Sequence, residues 1–309
     1  MKSRKILTNP VWIVLIASLC NILWGSAFPF IKIGYEEFRI TTQVSQKLLF
    51  AGVRFFMSGV LLLITYVIMY RKCPKLKKNN VKTVAELGLV QTTFQYIFFY
   101  IGLSNTTATN GSIVNSMNVF LSAILAHFVY TNDKMNTQKW LGCFLGFMGV
   151  LSATIGQGTM RFTLQGEGFI IIADLMFAIG SVISKKATKE DDSMTVTAVN
   201  LVFGGVILIL AGLFGGGTLT QITVKGCVVL FYLAALSAVS FTLWAMLLKY
   251  NPIGKICIYN FVNPVSGTLL SGIMLKENIL QIKYLLSLIL VSAGICIVNL
   301  KIADTKKSA

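Results

Sequence analysis

Apolar residues fill ten long runs along this chain, and polar residues are gathered into short segments between the runs. Each run is close to the length of about 17–25 residues that a helix needs to cross a bilayer. The pattern therefore predicts an all-α integral membrane protein with ten transmembrane helices. The runs cover residues 11–31, 47–70, 84–104, 110–130, 139–157, 167–184, 194–214, 226–248, 256–275 and 283–301.

Basic residues lie mainly between the runs, and their numbers differ between the two sides of the predicted membrane. With the N-terminus in the cytoplasm, the inner segments contain 19 of the 27 Lys and Arg residues and the outer segments contain 7, while Arg54 lies within a run. This bias follows the positive-inside rule. Because ten spans are an even number, both termini are predicted to be cytoplasmic, in the plasma (inner) membrane of a prokaryote.

The start of the chain imitates a secretory signal peptide, since Lys2 to Lys5 precede an apolar run. No small-x-small cleavage site follows that run, and nine further runs do. We therefore interpret residues 11–31 as a retained first helix.

The two halves of the chain resemble each other weakly. Residues 24–32 align with residues 177–185, because both segments begin with an aromatic residue, continue through small residues and reach a Lys eight positions later. Residues 104–118 likewise match residues 250–264 in length and in the order of a polar turn and a helix rich in small residues.

The number of runs in each half determines how the two halves are oriented relative to each other in the membrane. Five is odd, so the second half must enter the membrane from the opposite face. We therefore predict two inverted five-helix repeats, residues 1–157 and residues 163–303. Inverted repeats are common in secondary transporters, whose substrate site lies near the midplane between the halves.

Composition excludes several classes of protein. A hydrophobic fraction of 55% with 12% charged residues is not that of a soluble domain, in which about 25% of residues are charged. The net charge of +16 is accounted for by topology, so no nucleic-acid partner is expected. Six cysteines without CxxC spacing and a single His give no metal or disulfide pattern, and no cofactor is expected. The absence of HExxH, GxSxG and a nucleotide-binding loop argues against an enzyme.

Five short segments form a recognisable series in their order and spacing. They are Trp24-Gly25-Ser26 to Lys32, Arg54-Phe55, Phe99-Tyr100-Ile101-Gly102-Leu103, Asn263-Pro264-Val265 and Leu275-Lys276-Glu277. Together they resemble EamA-type members of the drug/metabolite transporter superfamily, over nearly the whole chain. The resemblance implies ten transmembrane helices in two inverted repeats around a central cavity. It also implies transport, with export the expected direction, of a small metabolite, an amino acid or a drug-like compound.

The chain departs from the family pattern in its first half. Asn118 stands where the family often has Pro in the fourth helix, and Thr131-Asn132-Asp133 stands where a Glu often follows. The mobility of that helix and the role of the missing acid are therefore left open.

Two charged residues lie well away from the ends of their runs, where a central charge costs about 2.5–3.5 kcal/mol on insertion scales. Asp174 is either a proton- or cation-coupling carboxylate that faces the cavity, or a helix-packing carboxylate that is hydrogen-bonded or neutral. Arg54 either binds an anionic group of the substrate or pairs with Asp174, or its long side chain reaches the outer interface. Our hypothesis is that Asp174 and Arg54 are electrostatically coupled across the cavity.

Uncharged polar residues recur at spacings of three or four within single runs, which stacks their side chains along one helix face. Such faces suit hydrogen bonding between helices, and they also suit an aqueous cavity with amide groups and aromatic walls. We favour the cavity, because the resemblance places these helices around the centre. The candidate lining residues are Trp24, Ser26, Gln91, Gln95, Tyr96, Asn115, Asn118, Trp244, Asn260 and Asn263.

Gly and Pro residues mark candidate hinges. Gly25 and Pro29 are predicted to break or kink the first helix, and Pro264 is predicted to interrupt the ninth helix near its middle. A static kink is the alternative. A stripe of small residues in the fifth run predicts close helix packing, within the chain or at a homodimer face, so a monomer and a homodimer both stay open. The stripe consists of Gly142, Gly146 and Gly149.

The predicted function is a secondary transporter that works by alternating access on a small-molecule substrate in the lipid bilayer. Proton coupling is left open. The alternative is a channel or a non-transporting membrane scaffold. A channel needs a continuous open pore, whereas an inverted two-fold organisation favours a carrier.

Overall fold

The computed structural model describes residues 6–41, 43–129, 134–156, 159–160, 162–251 and 256–299. Both charged ends of the chain and the stretch Thr131-Asn132-Asp133 lie outside these residues. Helices make up nearly all of the described chain, as the apolar runs predict.

The helical elements fall on the predicted runs. In chain order they are α1 (Pro10–Glu37), α2 (Val44–Tyr70), α3 (Val81–Leu87), a π-helical segment (Gly88–Phe94), α4 (Gln95–Ser104), α5 (Ala108–Val114), α6 (Met117–Val129), α7 (Thr137–Thr154), a second π-helical segment (Leu164–Gly168), α8 (Phe169–Glu190), α9 (Ser193–Phe214), α10 (Val224–Tyr250), α11 (Val262–Leu275) and α12 (Ile282–Asn299). Short 3-10 turns at Lys78–Asn80 and Ile258–Phe261 precede α3 and α11.

Six helical stretches of the described chain are long and apolar enough to cross a membrane. Ile282–Val298 is apolar but shorter. These lengths and compositions are those of a multi-pass membrane protein. The six stretches are Pro10–Glu37, Val44–Tyr70, Ala108–Val129, Leu164–Glu190, Ser193–Phe214 and Val224–Tyr250.

Polar residues between the runs fix where the helices begin. The Asn9 side chain accepts a hydrogen bond from the backbone N–H of Val11 at 2.9 Å, and Pro10 occupies the first turn of α1. A carboxylate oxygen of Asp192 accepts from the first backbone N–H groups of α9, with the N–H of Met194 at 3.0 Å. The polar segments therefore set where helices begin, and they also carry most of the charge.

One short element differs from the all-helical expectation. Ile155–Gly156 and Thr159–Met160 form a two-residue antiparallel ladder. Helix α7 consequently ends at Thr154, earlier than the predicted limit of residue 157.

Glycines bring α2 and α9 into backbone contact. A Cβ added to Gly52 would lie 2.5 Å from the backbone nitrogen of Ile209, and one added to Gly205 would lie 2.5 Å from that of Phe56. Small residues allow helices in a membrane to approach this closely, so that van der Waals packing holds them together.

The predicted small-residue stripe of α7 also packs inside the chain. A Cβ on Gly142 would lie 2.7 Å from the carbonyl oxygen of Gly294 in α12, and one on Gly149 would meet Val291 of the same helix. Gly146 faces the ring of Phe120. The stripe is therefore covered by the chain itself, and the homodimer-face interpretation of these glycines is not supported.

Each half of the chain makes the same set of helix contacts with the other half. Helix α1 packs against both α10 and α11, and α8 packs against both the α3–α4 stretch and α6. The internal alignment pairs α1 with α8. Equivalent helices also pack against each other, α2 against α9 and α7 against α12.

The predicted hinges need correction. Helix α1 runs without a break through Gly25 and Pro29, and Gly25 is where α11 crosses it, because a Cβ there would lie 2.9 Å from the nitrogen of Gly267. The ninth run is 3-10 helical over Ile258–Phe261 and α-helical from Val262, so Pro264 follows this change directly as the third residue of α11, where a helix tolerates the missing N–H.

The fourth run is also interrupted, at Asn115–Ser116 between α5 and α6. The backbone there tightens to three-residue bonds, since the N–H of Ser116 donates to the carbonyl of Ile113 at 3.0 Å. The Ser116 hydroxyl donates to the same carbonyl. Ser and Asn side chains compete for backbone groups in this way and weaken the regular helix.

Candidate functional site

A central cavity lies between the two halves of the chain. It offers about 50 Å³ to the centres of water molecules, and since one water needs at least about 10–15 Å³ by this measure, a few waters fit. Its walls come from α1, α2, α4 and the α5–α6 turn in the first half, and from α8, α10 and the start of α11 in the second. The lining residues are Asn21, Trp24, Ala27, Phe28, Arg54, Gln95, Tyr96, Phe99, Asn115, Asn118, Phe177, Phe241, Asn260 and Asn263.

Asparagines from both halves meet in the cavity wall. The side-chain N–H of Asn260 donates to the amide oxygen of Asn118 at 3.2 Å, and the Asn118 nitrogen donates to the backbone carbonyl of Asn115. A carbonyl can only accept, so this chain fixes the orientation of Asn118 and then of Asn260. The amide oxygen of Asn260 is left buried without a protein partner.

Further polar atoms around the cavity are buried without a protein partner. They are Nε1 of Trp24, Oε1 of Gln95 and Oδ1 of Asn263. Buried polar groups in folded proteins are nearly always paired, so unpaired groups that surround one cavity indicate a site for a hydrogen-bonding molecule.

Aromatic rings also line the cavity. The ring of Trp24 lies edge-on to Phe177 with centroids 5.9 Å apart, and to Phe241 with centroids 5.5 Å apart. Trp24 and Phe177 are the residues that begin the two aligned segments. The internal alignment therefore pairs two residues that touch each other beside the cavity.

Arg54 is buried in the wall with an exposed fraction of 1%. Its guanidinium donates to the Tyr100 hydroxyl at 2.9 Å, to the Ser237 hydroxyl at 2.8 Å and to the carbonyl of Leu233 at 3.2 Å. Arg54 thereby joins α2, α4 and α10. Its side chain does not reach out to the membrane interface, so that interpretation of Arg54 is wrong.

Asp174 is buried beside the cavity and is not one of its lining residues. The backbone N–H of Asn118 bonds to its carboxylate, and Oδ2 is buried without a protein partner. No ion pair joins Asp174 to Arg54 in the described chain. If the internal alignment is extended by three residues, Asp174 is the counterpart of Asn21.

Three predicted lining residues lie elsewhere. The Ser26 hydroxyl is bonded to the Tyr232 hydroxyl at 2.7 Å, and Trp244 packs behind Trp24 with ring centroids 5.1 Å apart. Gln91 packs against Gly180. Gln91 stands one helical turn before Gln95, so it lies at a different level along the helix. The other seven predicted lining residues surround the cavity together.

Asn21 is the polar lining residue that sequence reasoning missed. It stands three positions before Trp24, the same spacing that identified the Asn115–Asn118 and Asn260–Asn263 pairs. Phe99 and Phe241 gave no such signal, because aromatic residues are frequent in every run.

The described side chains include no cluster of three His, Cys, Asp or Glu residues that would hold a metal ion. Amides, aromatic rings and one guanidinium can instead bind an organic molecule by hydrogen bonds and apolar contact.

Residues 11–155 and 164–300 each match the model of one family of membrane proteins, the EamA-like transporter family. The chain belongs to the EamA-like transporter family. The match covers both halves of this EamA-like transporter separately.

Relatives of this EamA-like transporter are transporters by name, which agrees with the expectation that it is not an enzyme. An uncharacterized transporter of Archaeoglobus fulgidus is 27% identical over 271 residues, which cover 85% of this chain and 89% of that protein. The uncharacterized transporter YvbV of Bacillus subtilis is 25% identical over 96% of this chain and 94% of its own length. The uncharacterized inner membrane transporter YedA of Escherichia coli K12 is 26% identical over 85% of this chain and 83% of its own length.

A chain of known crystal structure has the same fold as this EamA-like transporter. It superposes with a TM-score of 0.71 over 93% of this chain and 98% of its own length. The sequence identity is 14%, so the likeness concerns the fold alone.

Proposed function

We propose that this EamA-like transporter is a secondary carrier that moves a small organic molecule by alternating access, with the substrate bound in the central cavity. One observation carries the proposal: both halves contribute buried, unpartnered polar atoms to the same cavity, including those of Gln95 and Asn260. Leaving such an atom unpaired costs about 1–3 kcal/mol, which a hydrogen-bonding substrate offsets.

The proposed topology has ten spans in two inverted repeats, residues 1–157 and 163–303, with both termini in the cytoplasm. Separate family matches to residues 11–155 and 164–300 support the two repeats. The exchange symmetry of the helix contacts supports them as well. Five spans per repeat require the second repeat to be inverted.

A carrier accounts for the polar contacts that join the two halves at both proposed membrane faces better than a channel does. At the proposed outer end, the Glu277 carboxylate accepts the backbone N–H groups of Ala108 and Thr109, each at 2.9 Å. At the proposed inner end, the Asn80 side chain donates to Asp191 at 2.7 Å. These contacts tie the two halves of the chain together on both proposed sides of the membrane, which supports gates that close, rather than an open pore.

We propose that Asp174 couples transport of the substrate to a proton or cation gradient. Export is the proposed direction of net transport, as the family resemblance implies. The Asp174 carboxylate is buried next to Asn118 and has an unpartnered oxygen. An ionisable group at this depth in a membrane protein generally serves an ion or substrate pathway.

Counterflow into proteoliposomes tests the carrier. A thermal-unfolding screen over amino acids, small amines and common metabolites supplies the compound, and its labelled form is then offered to vesicles preloaded with the unlabelled form. A carrier gives saturable uptake that preloading accelerates, whereas unsaturable conductive flux would establish a channel. Vesicles without protein give the background.

A further inference from the structure

We propose that Arg54 is the binding point for a carboxylate, so that the substrate is a small organic acid with an apolar, planar body and at least one N–H or O–H group. This inference rests on the proposed carrier function and deepens it. Its basis is a buried cation in the cavity wall whose contacts are all with neutral groups.

The hydrogen bonds of Arg54 do not neutralise its charge. Tyr100 and Ser237 contribute hydroxyl groups and Leu233 contributes a carbonyl. Among the described residues that line the cavity there is no Asp or Glu, and Arg54 is the charged one. An uncompensated charge at this burial is unfavourable, so an anion is the complementary partner.

The guanidinium also has donors to spare. Of its five N–H groups, the bonds to Tyr100, Ser237 and Leu233 use one on each nitrogen. One N–H on each terminal nitrogen has no partner among the described residues. Two N–H groups on neighbouring nitrogens match the two oxygens of a carboxylate, which is the bidentate geometry that Arg favours.

The remaining walls specify the rest of the molecule. The unpartnered oxygens of Gln95, Asn260 and Asn263 accept hydrogen bonds, so the substrate needs donors of its own. The rings of Trp24 and Phe177 present apolar surface at one side of the same space. Aromatic walls favour a planar apolar body.

The test compares carboxylates with their uncharged amides on purified protein in lipid nanodiscs. The probes are phenylacetate, 4-hydroxyphenylacetate and indole-3-acetate, each against its amide. The expected result is that at least one acid binds about tenfold or more tightly than its amide, the scale of one charge-assisted hydrogen bond. Equal binding of acid and amide in all three pairs, or no binding by any acid, overturns the proposal.

Substitutions assign the preference to Arg54. Arg54→Gln should abolish it. Arg71→Gln removes the same charge at an exposed position and should leave the preference intact. Tyr100→Phe removes one contact of Arg54 and keeps the charge, so the preference should survive. A preference that persists in Arg54→Gln overturns the assignment.

A measurement on the unaltered chain covers the case in which Arg54→Gln does not fold. Phenylglyoxal modifies arginine side chains, and mass spectrometry reports the rate at Arg54. The bound acid should slow that rate several-fold and its amide should not, while the rate at Arg71 stays constant. Equal protection by acid and amide overturns the proposal.

The outcomes also separate this inference from the proposed function. If neutral compounds show saturable counterflow and no acid binds, the carrier function is supported and the carboxylate site is disproved. If an acid binds in a manner that depends on Arg54 and no compound shows counterflow, the carboxylate site is supported and the carrier function is disproved.

Discussion

The side chain of Asn260 donates to the amide oxygen of Asn118 across 3.2 Å, and this bond joins the two repeats at the wall of the cavity. Each asparagine belongs to a pair spaced three residues apart, one pair in each half. The bond therefore places side chains from both halves of the chain in the same wall of the cavity.

Asn260→Ala should reduce transport at least tenfold, because it removes both a wall amide and the partner of Asn118. The stability loss should be about 0.6–2 kcal/mol, the range for one hydrogen bond between membrane helices. Uptake per folded molecule and thermal unfolding measure the two effects.

Asn200→Ala is the matched control for that prediction. Asn200 is buried and accepts a hydrogen bond from Thr92 at 2.8 Å, away from the cavity lining. It should lose similar stability and keep its transport rate per folded molecule. Equal loss of transport in both variants would contradict a role for Asn260 in the site.

Glu277→Gln should lower thermal stability, because a charged carboxylate bonds twice to the start of α5 and the neutral amide binds more weakly. The loss should be about 1–2 kcal/mol, as for a lost helix cap. Glu190→Gln is the control, since its ion pair with Lys77 is half exposed and such pairs contribute little. Similar unfolding temperatures for the two variants would count against the cap.

Gly52→Ala should reduce the yield of folded protein, because its Cβ would lie 2.5 Å from the backbone of Ile209. Backbone cannot move aside without separating α2 from α9. Gly168→Ala is the control, because its nearest neighbour is the flexible end of Leu164 at 3.0 Å. Detergent-extracted yield and unfolding temperature give the comparison, and a Gly52→Ala protein as stable as Gly168→Ala would disprove the tight contact.

Asp174→Asn should abolish accumulation driven by a pH gradient and preserve counterflow at equal pH, because the carboxylate is lost and the side-chain shape is kept. Glu190→Gln should keep both activities. Gradient-driven accumulation that continues in Asp174→Asn would exclude Asp174 as the coupling group.

Labelling with a membrane-impermeant maleimide tests the topology. In a protein whose other cysteines are replaced, Cys73 lies in the segment after α2, which the ten-span topology places inside. Thr220→Cys lies in the exposed segment between α9 and α10, which the same topology places outside. Intact cells should label residue 220 and spare residue 73, and labelling of both only after lysis would refute the orientation.

The sequence allowed the helices and much of the cavity to be predicted because both follow a regular period. Apolar runs mark helices in lipid, and spacings of three mark the asparagine pairs on either side of the cavity. Gln91 was misplaced because a spacing of four identifies a shared helix face but does not show how far along that face the cavity extends.

Long-range contacts could not be predicted in this way. Arg54 was identified as a costly charge, but its partners Tyr100 and Ser237 lie 46 and 183 residues away along the chain. The interruption at Asn115–Ser116 depends on local competition for backbone groups, whereas the sequence drew attention to Pro264 because proline is the usual helix breaker.

The glycine contacts of α2 with α9 and of α7 with α12 have a mechanical consequence. Each contact joins a helix of the first repeat to its counterpart in the second, backbone against backbone, so sliding there would require the main chains to separate. Under the alternating access proposed above, each moving body would therefore contain helices from both halves of the chain.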